Sequence, residues 1–397
     1  MARILYITPF FNFPPRDGAS LRAVNLFEKL SEKHDVELLT YNNKGLEYYN
    51  NQSNGKFKIH KLTSIHKKNI KLSFFQRLIS SELPGFASHD INCIADDFEK
   101  LILESGTYDI YYFATQLMGQ AVLKKKWPGI YAIDLYDIYS TYTKGKYLNV
   151  PFWRPFHWLF RIEALRVKSY EKKILRLFDH ILVTSEEDMK IINYLLNKPS
   201  IHEVLTGINF PKELTRNVEN GTILMVANFE YAGNNEGIKW FYKHVWQIIL
   251  DKINNAKLVL VGKCPLEIQT MTKKEDNITI TGIVPNLTGF YEKAACVILP
   301  LFHDGGTKTK LLEAMAYRTP IVSTKEAAKG IKNMHSIIIA NDPKTFASSV
   351  TSILTNGIDD ADLDQSRQLI QNHYTWDKIG DKLNHLIYKM AKARMNK

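Results

Sequence analysis

The chain has 397 residues, 45% hydrophobic and 23% charged, which suffices for two α/β domains with separate cores and excludes a disordered or low-complexity protein. No apolar run reaches the roughly 18 residues of a membrane span, the opening MARILYITPFF reads as a strand rather than a secretory signal, and three scattered cysteines (Cys93, Cys264, Cys296) lack metal or disulfide spacing, so a cytoplasmic protein with buried thiols is expected. The net charge of +11 calls for anionic partners, for which nucleotide sugars, acidic lipid surfaces and nucleic acid all qualify.

Residues 3–11 predict a strand, Pro14-Pro15-Arg16-Asp17-Gly18 a loop, and Leu21, Val24, Phe27 and Leu30 one face of a helix before a strand over 36–40. This β-α-β opening carries a single turn glycine, Gly18, so the Gly-x-Gly-x-x-Gly dinucleotide fingerprint is absent. Arg22, one turn into the helix, either reaches a ligand or points to water. Residues 42–88 read as irregular, polar at first and then basic and aromatic through His66, Lys67, Lys68, Lys71, Phe74, Phe75 and Arg77. That composition suits an acceptor-facing or membrane-facing insertion and equally a solvated helical hairpin.

Two further strands are predicted over 108–114 and 131–138, the second ending in Asp134-Leu-Tyr-Asp137. Strand ends are where α/β folds place ligand groups, which makes Asp137 a site candidate, although paired aspartates also cap helices. Residues 151–178 interleave Phe152, Trp153, Phe156, Trp158 and Phe160 with Arg154, Arg161, Arg166, Lys168, Lys172, Lys173 and Arg176. A basic amphipathic helix of this kind lies readily in an anionic membrane interface; a core helix with snorkelling bases has the same letters. A strand over 180–184 precedes Ser185-Glu-Glu-Asp188, a helix start with a cap and first-turn acids.

The strand predicted over 202–206 reads as the exit from a first domain, with a hinge near 207–220. A second series follows: strand 222–226, helix 235–250, then strands 258–261, 278–284 and 295–301, an alternation that argues for a parallel sheet flanked by helices. Asn228 and Lys263 stand at strand ends. Next comes HDGGTKTKLLEAMAYRTPIVST, residues 303–324: a broken strand, the pair Gly305-Gly306, and a helix resuming at 308–317. A glycine turn at a helix start leaves N–H groups facing out where the helix dipole favours anions, and it sets Lys308 and Lys310 beside them, so a phosphate fits there. Glu313 follows on the helix, where a carboxylate can accept two hydroxyl hydrogen bonds. The plain alternative is an ordinary α/β turn with solvated lysines. The twelve histidines show no metal-ligand spacing, and Asp362-Leu-Asp364 sits in a helix start rather than at a strand end, so no metal is expected.

The run GGTKTKLLEAMAYRTPIVST resembles the donor-binding signature of the retaining glycosyltransferases of family 4, the glycosyl transferases group 1 type. PPRDGASLRAVNLFEKLSEKHDVELLT resembles their opening, and HYTWDKIGDKLNHLIYKM resembles their terminal helix, which Trp376 would pack. The resemblance implies a GT-B fold, α/β, with two Rossmann-like domains facing across a cleft. The acceptor-side domain would span 1–206, with a helix over about 376–397 crossing back onto it, and the nucleotide-sugar donor domain 207–375. It implies transfer of a sugar from a nucleotide diphosphate sugar, UDP- or GDP-linked, to a glycan or lipid-linked hydroxyl acceptor with retention, without metal or further cofactor. Surface polysaccharide or glycolipid synthesis near the inner face of a membrane is the setting, and nucleic acid is not an expected partner.

By position, the resemblance puts Glu313 on the ribose, with Leu311 beside it, and Gly305, Gly306, Thr307, Lys308 and Lys310 toward the diphosphate. Gly18, Asn228 and Lys263 line the donor site, and Asp137 touches the sugar or acceptor. Asp137, Lys308 and Glu313 are the groups expected to carry catalysis. The commonest family pattern has a second glutamate eight residues before Glu313, where this chain has Gly305. Two other readings stand beside it: a GT-B nucleotide-sugar epimerase using the same nucleotide cleft without an acceptor, and a non-catalytic basic binding protein, which would need a contiguous basic patch or a known module.

Overall fold

The computed structural model describes residues 1–9, 11–15, 17–40, 45–52, 56–61, 91–141, 153, 156–198, 200–302, 309–331 and 335–395. The chain divides into two compact units, one made of residues 1–206 with 376–397 and the other of residues 207–375.

In the first unit seven strands form one parallel sheet: β1 (Arg3–Ile7), β2 (Asp35–Thr40), β3 (Lys58–Lys61), β4 (Ile110–Phe113), β5 (Ile130–Leu135), β6 (His180–Val183) and β7 (Ile201–Glu203), in the order β3-β2-β1-β4-β5-β6-β7. A parallel sheet needs helical crossovers and is therefore covered on both faces, which is why its strands read as continuous apolar runs. Ile4 and Tyr6 of β1 pack on one side with α1 (Gly18–Ser31), while Leu5 and Ile7 pack on the other among Phe98, Phe113 and Phe178. The helix Trp376–Met395 completes the first of these layers, with Trp376, Ile379, Leu383, Ile387 and Met390 buried at helical spacing. Its Asn384 Nδ2 donates to the Lys29 carbonyl of α1 at 2.9 Å, and Asp377 pairs with Lys29 at 2.7 Å.

Two expectations need correcting in this unit. The stretch 42–88 contains β3, which pairs with β2 through Glu37↔Lys58 to Thr40↔Lys61. Its run KIHK carries too little apolar signal to be read as a strand; the pairing is set by the neighbouring edge and by Glu37. Arg22, for its part, neither reaches a ligand nor points to water. It is 2% exposed, with Nη2 and Nε 2.8 and 2.9 Å from the two carboxylate oxygens of Asp134, itself fully buried. Its remaining N–H groups donate to the carbonyls of Val204 (2.8 Å) and Leu205 (2.7 Å) and to Thr206 Oγ1 (3.2 Å). Burial alone would lower the guanidinium pKa, but Asp134 outweighs it and the net shift is upward. Asp134 is thus a strand-interior group, and β5 stops at Leu135, short of Asp137.

The second unit holds β8 (Thr222–Val226), β9 (Lys257–Val261), β10 (Ile278–Gly282), β11 (Cys296–Leu299), β12 (Ile321–Ser323) and β13 (Ile337–Ile339), all parallel, in the order β10-β9-β8-β11-β12-β13. The helix after β8 starts at Ala232, earlier than the apolar pattern suggests, and runs to Leu250 through a π turn at Tyr242–Trp246. Cys296 is buried in β11, which pushes its thiol up to about 12 and makes it inert.

Breaking a buried ion pair leaves an uncompensated charge, at a cost of about 3–5 kcal/mol. Asp134→Ala is therefore expected to lower the urea-unfolding free energy by about that much, and the double change Arg22→Met with Asp134→Leu by clearly less. A second expectation concerns acid. Glu37, 1% exposed, accepts from Arg3 (2.8 Å), Tyr108 Oη (2.8 Å) and the His60 ring (2.7 Å). Burial pushes its carboxyl up, but these partners win and hold it at about 2 against an ordinary 4.5. The stabilisation is complete above the unfolded value and is lost as pH falls from 4.5 through about 2, to the extent of up to about 3 kcal/mol. Urea midpoints measured across that window should fall in the wild type and fall less steeply in Glu37→Gln.

Candidate functional site

Strand order reverses in the second unit between β8 and β11, the place where open α/β sheets gather ligand groups at the carboxyl ends of their strands. The loops there begin at Ala227 after β8, Gly262 after β9, Ile283 after β10 and Pro300 after β11. They are held close by backbone bonds: Ala227 N–H donates to the Val261 carbonyl (3.0 Å), Phe229 N–H to Lys263 (2.9 Å), and Gly262 N–H to Gly282 (2.8 Å). Two glycines make this approach possible. Gly262 lies at φ +129, and a Cβ there would sit 1.9 Å from the Ala227 carbonyl oxygen; at Gly237, on the helix after β8, a Cβ would sit 2.3 Å from that of Pro300.

Beyond β11 the helix α10 (Thr309–Ala316) presents Glu313, whose side chain is 16% exposed. Tyr291 Oη donates to Glu313 Oε2 at 2.8 Å, and Lys310 Nζ lies 3.1 and 3.3 Å from its two oxygens. The Tyr291 ring stacks on Tyr317 with centroids 5.0 Å apart, and Tyr317 Oη meets Thr288 Oγ1 at 2.8 Å. Burial, and then Glu313, push the Tyr291 phenol well above its ordinary range, so it stays a donor. These contacts use about three of the roughly four acceptor positions of the carboxylate, and Oε1 retains capacity.

The far end of α10 is anchored by arginines. Arg367 donates to the Ala316 carbonyl and, at 2.9 Å, to that of Pro211; Arg216 donates to the carbonyls of Arg318 and Tyr317 and to Ala294 at 3.2 Å. Cations at a helix C-terminus satisfy its orphan carbonyls and complement its dipole. Arg216 and Arg367, like Tyr291 and Thr288, were not legible in the sequence as site-forming, since each meets α10 only through tertiary packing.

The remaining sequence candidates fall in different places. Lys263 is half exposed after β9 and pairs with Glu230 at 2.8 Å. It borders a depression of about 460 Å³ lined also by Cys264, Gln269, Ile280, Thr281 and Ile283, at the carboxyl ends of β9 and β10. Asn228 is exposed and shapes its own turn, its Oδ1 accepting from Glu230 N–H at 3.1 Å. Leu311 is 1% exposed and its side chain belongs to the core. Gly305, Gly306, Thr307 and Lys308 lie outside the described residues. In the first unit Gly18 opens α1 behind the N-cap Asp17, which already accepts from Ser20 N–H and Oγ (2.8 and 2.9 Å). Asp137 is exposed just past β5. Among the described residues, no group of three or more His, Cys, Asp or Glu could hold a metal ion.

Residues 220–356 match the family model described as Glycosyl transferases group 1, and this span contains the loops, the depression and Glu313. A protein of Klebsiella pneumoniae described as "Uncharacterized 44.6 kDa protein in cps region" is 24% identical over 204 residues, which is 49% of this chain and 52% of that one, so the chain spans about half the length of the curated relative it matches. Among solved structures, sucrose-phosphate synthase from Thermosynechococcus elongatus superposes with a TM-score of 0.69 at 16% identity, covering 99% of this chain and 100% of the other. S. aureus TarM, in a mutant complexed with Fondaparinux, alpha-GlcNAc-glycerol and UDP, gives 0.69 at 11% identity (97% and 99% covered), and Anabaena HepE with UDP and glucose 0.62 at 11% (98% and 100%). At these identities the likeness shows the fold, which is GT-B, and the expected resemblance to the group 1 glycosyltransferases is borne out.

The 2.3 Å approach at Gly237 makes one consequence checkable. Gly237→Ala must push the helix after β8 away from Pro300, an overpacking that costs about 1–3 kcal/mol. A lowered melting midpoint is expected.

Proposed function

We propose that this chain, a group 1 glycosyltransferase of GT-B fold, moves a sugar from a nucleotide diphosphate sugar to a hydroxyl acceptor with retention, in the synthesis of a surface polysaccharide or related glycoconjugate. The single observation that carries the reading is Glu313, held in place by Tyr291 and Lys310 on a helix anchored at its far end. A ribose offers two adjacent hydroxyls, and a fixed carboxylate accepts from both. Lys310, 29% exposed, can swing from Glu313 toward phosphate as the diol replaces it. The depression beside Lys263 suits a flat base: Ile280 and Ile283 offer apolar contact, while Thr281 and backbone groups offer hydrogen-bond edges.

Departure of the sugar builds positive charge at the anomeric carbon and negative charge on the leaving diphosphate. Fixed N–H groups and cations beside that diphosphate stabilise the transition state without moving. We assign that role to residues 305–307 with Lys308 and Lys310, as the sequence motif suggests, and Asp137 to the acceptor or sugar hydroxyl. UDP is the favoured nucleotide because UDP accompanies HepE and TarM in their structures, and the neighbourhood of the Klebsiella relative, a cps region, supports the polysaccharide setting. No metal and no further cofactor enters this scheme. The acceptor is a glycan or a lipid-linked glycan, reached from the cytoplasmic side.

Calorimetry with UDP, GDP, ADP and their sugars, with and without EDTA, tests the donor site. EDTA-insensitive binding of one nucleotide is expected, abolished in Glu313→Ala and weakened in Tyr291→Phe. Lys308→Ala should lower turnover by about two to three orders of magnitude, the scale of removing one preorganised donor. Wild-type turnover in that variant would remove Lys308 from catalysis, and epimerisation of the donor sugar without an acceptor would favour the epimerase reading.

A further inference from the structure

The helix α5 (Phe156–Leu175) in the first unit has two unlike halves. Its inner half is fixed to the protein: Val167 and Ile174 are buried, and Glu171, 1% exposed, accepts from Gln116 Nε2 (2.7 Å), Tyr139 N–H (2.9 Å) and Ser140 Oγ. Burial raises the Glu171 carboxyl, and these donors oppose the rise. The outer half is apolar where a helix surface is normally polar. Trp158, Ile162 and Leu165 fall at i, i+4 and i+7, one stripe, and are 62%, 47% and 67% exposed. Beside it Tyr194 of the helix Glu186–Leu196 is 87% exposed, with Lys168 Nζ 5.7 Å from its ring centre.

Charge is sorted around that stripe. Arg161, Lys168 and Lys172 flank one side, Arg166 and Lys173 the other, and Arg161 lies 5.4 Å over the Trp158 ring. The two acids of α5 are both turned away from the stripe: Glu171 is buried, and Glu163 is 12% exposed and pairs with Arg166 at 4.0 Å. In the neighbouring helix the acids Glu186, Glu187 and Asp188 sit in its first turn, two turns before Tyr194. A protein partner would be expected to bring mixed charge and a shaped surface. A row of bases on both sides of an apolar, tryptophan-bearing stripe matches instead a surface that is uniformly negative at the depth of the bases and apolar beneath.

We infer that the outer face of α5, with Tyr194, docks onto an anionic phospholipid bilayer, the helix lying in the plane of the interface with Trp158, Ile162 and Leu165 below the headgroups and Arg161, Lys168 and Lys172 among the phosphates. The inference does not rest on glycosyl transfer and is measured without donor or acceptor. The full chain is co-sedimented with vesicles of phosphatidylcholine alone and of phosphatidylcholine mixed with phosphatidylglycerol. Binding is expected to the mixed vesicles only and to weaken as salt is raised. The variant Arg161→Gln with Lys168→Gln and Lys172→Gln should partition about a hundredfold more weakly, roughly fivefold per charge. Trp158→Ser with Ile162→Ser and Leu165→Ser should bind at least about tenfold more weakly while melting as the wild type does, because its changes are all at exposed positions. Equal binding to both vesicle types, or unchanged binding by both variants, overturns the inference. So does a dimer in sedimentation velocity that the apolar variant dissolves, since the stripe would then belong to a second copy of the chain.

Discussion

Parallel pairing is the constraint on which the rest of the molecule depends. Every strand of a parallel sheet must be reached by a crossover, so all carboxyl ends point one way and every loop that can carry chemistry is delivered to one edge. In the second unit this edge receives the turns after β8, β9, β10 and β11 and the start of α10. The order β10-β9-β8-β11-β12-β13 then opens a gap between the turns of β8 and β11, because their helices leave to opposite faces. Gly262 and Gly237 let the carbonyls of Ala227 and Pro300 come closer at this edge than any side chain at those glycine positions would allow.

Position also requires rigidity along α10, which is short. Eight residues hold few internal hydrogen bonds, and such a helix would not stand alone. It is fixed by its partners: Leu311, Leu312, Ala314 and Met315 in the core, guanidinium groups on its last carbonyls, and the Tyr291–Tyr317 stack along its side. The result is a carboxylate whose location is set by packing rather than by its own rotamer preference. Under the proposed function a hydroxyl-bearing ligand would meet an acceptor that need not be reorganised, the condition under which one hydrogen bond contributes most to binding and catalysis.

The alternation of strands and helices was plain in the sequence because buried parallel strands are apolar throughout, and the glycine-lysine-glutamate run was plain because its chemistry is local. What was not legible shares one cause. β3 is a polar edge strand whose pairing depends on Glu37; Arg22 finds Asp134 across 112 positions of sequence; Tyr291 finds Glu313 from the preceding helix, 22 positions away with β11 between them. In each case the partner is chosen by the fold, and a single sequence displays neither the distance nor the burial that decides the role. Asp134 and Asp137, three positions apart, show the point: one is a fully buried counter-charge and the other an exposed residue past the strand end.

The same distinction governs how the net charge of +11 should be read. A basic composition suggests anionic partners, yet several of the bases act inside the protein. Arg22 neutralises Asp134 and holds the carbonyls of Val204 and Leu205; Arg216 and Arg367 cap α10; Arg318 pairs with Asp360 and Asp364 at 2.8 and 2.7 Å. These groups contribute to the total without being offered to any ligand. The bases of α5 differ in kind, because its acids have been withdrawn to the buried side and apolar side chains stand between the cations. It is the arrangement of charge around apolar surface, rather than its sum, that separates a solvated helix from one shaped for an interface.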